Sequence, residues 1–282
     1  MQVRWWFASV LIMFSDGVAA TPPSMSGWDY YRLGDFSMAA RMFEREAARG
    51  DAGALYGLAA TWHWRRPGED LEKARQLYEQ VLAQAPESDW AAWSALALAR
   101  MKATMPPGKE PPVTEILAAY QRVVDRYPWH NAGEEAFLFI QATRLSQVET
   151  DAAAVVQELE RFLKERPQSK YRSTAFGLLA YANEILGRPE QQLAALLAQL
   201  EALETDPLNP TRDVSGLYWQ IAAVACFEVG DLRLAREIYQ KFIHEYPTDS
   251  RVFFAKQQLK RIDELEARLR RERLTAQRST QE

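Results

Sequence analysis

Proline closes helix-like segments at Pro86, Pro128, Pro167, Pro207 and Pro247, at intervals of 42, 39, 40 and 40 residues. A single compact core has no use for such a period. Stacked supersecondary units do, because each leaves an apolar face that only its neighbour covers. With 13 glycines and 14 prolines in 282 residues, and apolar residues recurring at three- and four-residue steps, nearly all of the chain reads as amphipathic helix. No segment reads as a strand.

The repeat is clearest near the C-terminus, in Trp219, Ala223, Cys226, Gly230-Asp231, Ala235, Tyr239, Phe242 and Tyr246-Pro247. Gly34-Asp35 precedes Ala39 and Phe43 at the same offsets at which Gly230-Asp231 precedes Ala235 and Tyr239. Glycine tolerates a left-handed turn, and the aspartate after it caps the next helix. This pattern resembles the tetratricopeptide repeat, two antiparallel helices in about 34 residues. The resemblance implies an all-α fold: a right-handed α-solenoid of about six helix-turn-helix units plus a C-terminal capping helix. Residues 46–86 resemble the Sel1-like variant, through Ala47-Ala48-Arg49-Gly50-Asp51-Ala52, Ala54-Leu55-Tyr56-Gly57-Leu58-Ala59 and a longer turn at Arg65–Asp70. The endings Tyr127-Pro128, Arg166-Pro167-Gln168-Ser169 and Tyr246-Pro247-Thr248-Asp249-Ser250 are similar to those of bacterial envelope members of the family, among them the barrel-assembly lipoprotein and the Tol-associated cell-division coordinator. Met105–Pro112 carries four prolines and reads as a stiff insertion between helices.

Arg4, the apolar run Trp5 to Phe14 and Val18-Ala19-Ala20 form a signal-peptide pattern, with the mature chain expected to begin at Thr21. The run is too short to span a bilayer, which takes about 20 apolar residues. The expected organisation is therefore a signal peptide at 1–20, a solenoid at 21–250, and a capping helix with a basic tail at 251–282. Export to the periplasm or outside the cell follows, and no transmembrane segment is expected in the mature form. Cys226 is the one cysteine, so no intramolecular disulfide forms, and its expected place is a small apolar site in the core.

A formal net charge of −4 argues against a nucleic-acid partner. His63, His130 and His244 fall in no metal-ligating spacing, so no metal and no cofactor is expected. There is no Gly-rich phosphate loop and no Gly-x-Ser-x-Gly elbow, and the chain is not read as an enzyme. The alternative class is a glycan-binding or glycan-processing helper of the envelope, which would need a cleft carboxylate pair at glycosidase separation.

In tetratricopeptide arrays the first helix of each pair lines the concave face. Carried onto this sequence, that places Trp62, then Trp90, Trp93 and Arg100, then Phe137, Ile140 and Arg144, then Tyr181 and Glu184, then Gln220, along one groove for a protein or peptide partner. The other reading of the aromatic members is inter-repeat core, because large aromatics dominate cores. Arg100 and Arg144 favour the groove, since a charge on an apolar stripe should reach solvent or a partner. From Arg251 onward, Val252, Ala255, Leu259, Ile262, Leu265 and Leu269 dock a long terminal helix, and Arg268, Arg270, Arg271 and Arg273 follow on its distal half. That half reads as a polar cap, or as a weak contact with an anionic surface.

Overall fold

The computed structural model describes residues 25–279 apart from 66, 105–107, 110 and 206–212. The signal-peptide pattern, Pro207 and half of the proline-rich insertion lie outside the described residues. Among the described residues every regular element is helical, and no strand occurs. In chain order the helices are α1 (Gly27–Arg32), α2 (Phe36–Ala47), α3 (Ala52–Trp64), α4 (Leu71–Gln84), α5 (Asp89–Ala103), α6 (Val113–Arg126), α7 (Asn131–Leu145), α8 (Ala152–Glu165), α9 (Arg172–Ile185), α10 (Pro189–Glu204), α11 (Ser215–Val224), α12 (Leu232–Glu245) and α13 (Val252–Ser279). Among the described residues α1 with α2, α3 with α4, α7 with α8, α9 with α10 and α11 with α12 pack as successive pairs, and one long helix ends the series, as the repeat spacing predicts.

The punctuation has a local cause at both ends of the second helices. Asp35, Asp70, Asp151 and Asp231 each accept a hydrogen bond from the backbone amide three residues on, starting α2, α4, α8 and α12. Each such cap contributes about 1 kcal/mol. At the other end, Ala85, Tyr127, Arg166 and Tyr246 precede the spaced prolines, and the proline ring disfavours helical backbone in the residue before it. All four have left the helix, with φ between −140° and −124° and ψ between 53° and 62°. Gly230, at φ 79°, supplies the left-handed turn into α12.

The described residues form two compact units, divided between Leu98 and Ala99. In the first, Ala39, Ala40, Phe43, Ala54 and Leu58 make a core flanked by Trp28, Tyr31, Trp62 and Leu77. Glycine is required at Gly27 and Gly57, where a Cβ would sit 2.5 Å from the Phe43 ring. In the second, one continuous core runs from Leu138 to Ile262 through Phe162, Leu196, Tyr218, Tyr239 and Phe242. Cys226 belongs to it, and burial pushes its thiol pKa up.

Candidate functional site

The first helices of the pairs carry both the expected groove residues and much of the core, and burial separates the two sets. In the first unit, Trp90 of α5 stacks on Trp28 of α1 and lies 5.3 Å from Tyr56 of α3, centroid to centroid. Gly53 lets it approach, since a Cβ there would meet the Trp90 ring at 2.8 Å. Trp62 is half-buried beneath two cations, with Lys73 Nζ 3.9 Å and the Arg65 guanidinium 5.6 Å from its ring centroid. Trp93 is also half-buried. Trp62 and Trp90 are thus held by inter-helix packing within their own unit.

In the second unit Ile140 is 3% exposed and is no groove residue: it fills the core side of α7. Phe137 is half-buried against the core that runs from Leu138 to Ile262, its ring stacked on Phe162 of α8 at 5.1 Å. The two arginines do reach charged partners, but these lie within the chain. Arg100 pairs with Glu135 of α7 and sits over the Phe139 ring at 4.9 Å, while Glu135 also accepts a 2.8 Å hydrogen bond from the Tyr171 hydroxyl. Burial, and then the Glu135 carboxylate, push the Tyr171 pKa far up, so the hydroxyl stays a donor. Arg144 donates to both oxygens of Glu158 at 2.9 and 3.0 Å, and the buried Gln141 donates to the same carboxylate at 2.8 Å. The side chains of Arg100 and Arg144 remain 34% and 39% exposed, enough for one edge of each guanidinium to be reached from solvent.

The expected residues that stand open are Tyr181, Glu184 and Gln220. Tyr181 is 47% exposed on α9, and Ile185, one turn further, is 42% exposed. Phe227 joins them, although sequence spacing did not find it. After Val224 the helix widens into a π-helical turn, Ala225–Val229, which shifts the register and leaves Phe227 54% exposed, with the Arg261 guanidinium of α13 5.7 Å from its ring centroid.

Residues 217–249 match the tetratricopeptide repeat family model. The match covers α12 and most of α11 with its π-helical turn, the same unit in which the Gly-Asp turn and the Tyr-Pro ending are most complete. No curated protein matches the chain. Among solved structures, the crystal structure of the APC/C hetero-tetramer Cut9–Hcn1 is similar in fold, with a TM-score of 0.51 over 84% of this chain and 16% sequence identity. The chain spans 41% of the length of that relative.

The open residues on α9 set an aromatic ring and an aliphatic side chain beside the Glu184 carboxylate, and Phe227 lies open beneath the Arg261 guanidinium. Such a mixture buries a peptide side chain and fixes its polar backbone. Among the described residues no cluster of His, Cys, Asp and Glu is placed to hold a metal.

Proposed function

We propose that the chain is an exported, periplasmic or secreted, tetratricopeptide-type scaffold for protein–protein interaction, binding a peptide or protein partner on the open faces of its later first helices. The observation that carries the reading is the exposure of Tyr181, Ile185 and Phe227 in a unit whose core encloses Tyr218, Tyr239 and Phe242. Tyr181 and Ile185 left open beside Glu184, and Phe227 left open beneath Arg261, are the kind of side chains a recognition face consists of, an anchor with a polar rim. Arg100 and Arg144 add exposed guanidinium edges within the same unit, and Phe137 and Ile140 pack beneath α7. The fold supports the reading, since stacked helix pairs give extended binding surfaces. Export is supported by Arg4, the apolar run after it and Val18-Ala19-Ala20. Within the envelope, the Tyr-Pro endings favour a part in its assembly or in division, and residues 46–86 serve as a Sel1-like unit of the same array.

The test replaces Tyr181 and Phe227 with alanine, separately and together, and compares partner capture from an envelope fraction with wild type. Capture should fall while the helical melting profile stays within the range of exposed substitutions, about 0.5 kcal/mol. Undiminished capture would remove this face from consideration. Intact mass of the fractionated protein addresses export: the species expected begins at Thr21, and a full-length cytoplasmic protein would refute it.

A further inference from the structure

The terminal helix α13 is about 42 Å long at 1.5 Å per residue, and its two long sides differ in charge. The inner side packs on the second unit through Val252, Ala255 and Ile262, with Leu259 and Leu265 half-buried. Two of its four acids lie toward that side: Asp263 and Glu266 both reach Arg236 of α12, at 2.6 and 3.1 Å. On the outer side Phe253, Lys256, Lys260, Arg268 and Arg271 follow one another at helical spacing, all exposed, with Glu264 the one acid along the line. Arg268 is met by Glu272 at 3.4 Å, a pair open to solvent on both sides. The line begins at an aromatic pair, Phe253 and Phe254, packed edge to face at 5.5 Å and yet 63% and 54% exposed.

A helix that only sealed the array would present a polar outer surface. Two open phenylalanines are not part of that requirement. From Phe253 to Arg271 the line is about 27 Å long, basic except at Glu264 near its middle and aromatic at one end. That geometry fits a plane whose phosphates meet the bases while the rings enter at headgroup depth. An acidic groove of a protein would match the charge too; what marks the lipid surface is that the rings enter it and hold a part of the binding that salt does not remove. Among the described residues no helix is long and apolar enough to cross a membrane, so the contact is one of lying on the surface.

We propose that α13 docks the protein on an anionic lipid surface through this outer line, with Phe253 and Phe254 as the interfacial anchor. The test is co-sedimentation of the purified protein with vesicles of phosphatidylcholine alone and of phosphatidylcholine mixed with phosphatidylglycerol. Binding is expected to the mixed vesicles only, weakening as salt is raised. Replacing Lys256, Lys260 and Arg271 together with Gln should lower binding by about tenfold or more, with the melting profile kept as a control of folding. Phe253→Ser with Phe254→Ser is the second variant, and it should remove the part of the binding that salt leaves in place. Equal binding to both vesicles, no binding to either at low salt, or full binding by the Gln variant would each overturn the proposal. So would binding to a polyglutamate peptide without binding to mixed vesicles, which would assign the line to an acidic protein.

Discussion

The indole rings of Trp28 and Trp90 stack with centroids 6.0 Å apart and planes 16° from parallel, joining α1 to α5 within the first unit. Tyr56 tilts against both, so three aromatic rings from three different first helices form one contact. Trp90→Ala should therefore act on stability. It removes one of three mutually contacting rings, and the expected loss is about 3 kcal/mol, the lower end for aromatic truncations, because Trp90 is half-buried. Gly53→Ala forces a Cβ to 2.8 Å from the same ring and should destabilise on its own. In the double variant the two losses should fall well short of additive, because the clash needs the ring. Thermal or urea unfolding of the three proteins reads this directly, and full additivity would contradict it.

Ala235 is fully buried on α12, five residues beyond the glycine that turns the chain into that helix. Small residues stand where helices approach closely, and Ala235→Leu adds three carbons to a fully buried site. The expected cost is about 1–3 kcal/mol. An unchanged melting temperature would show that the crossing lies elsewhere on the helix.

The number and order of helices were legible because their causes are local. An aspartate cap, a left-handed glycine and a proline that bars the preceding residue from helical backbone are all written in a few adjacent positions. The site was less legible for two physical reasons. Ala52–Trp64 is apolar on every side, so periodicity has no polar face from which to read its orientation, and nine of its residues are buried. At Phe227 the obstacle is geometric: the π-helical turn adds a residue to the helix, and a 3.6-residue period places the ring on the wrong side. Arg100 and Arg144 were found as charges on an apolar stripe, but their partners Glu135 and Glu158 come from residues 35 and 14 positions away, beyond any local pattern.

The Glu158 carboxylate and the Arg144 guanidinium are unequal partners in the same contact. Glu158 accepts from Arg144 and from Gln141, whose side chain is wholly buried and whose amide oxygen already has no hydrogen-bond partner. Arg144→Ala leaves the Gln141 bond in place and should cost about 0–1 kcal/mol, as for other exposed ion pairs. Glu158→Ala strands the Gln141 amide without an acceptor, which costs about 1–3 kcal/mol. Chemical denaturation of the two variants should rank Glu158→Ala as clearly the more damaging. The reverse order would mean that the arginine, and not the buried amide, is what the carboxylate serves.

Tyr239 is 1% exposed, and its hydroxyl has no hydrogen-bond partner. Tyr239→Phe therefore removes an uncompensated polar atom, and at neutral pH the variant should be as stable as wild type or slightly more so. The same hydroxyl makes the fold sensitive to alkali. Burial pushes the pKa of Tyr239 up from 10.0 to about 12, and does the same for Tyr120 and Tyr218. A folded-state pKa above the unfolded value means that the unfolded chain loses its phenolic protons first as pH rises, so stability is intact below pH 10 and falls progressively between 10 and 12. Unfolding midpoints measured across that range should decline for wild type and decline less steeply for Tyr239→Phe. Identical slopes for the two proteins would show that this hydroxyl is hydrated in the native state.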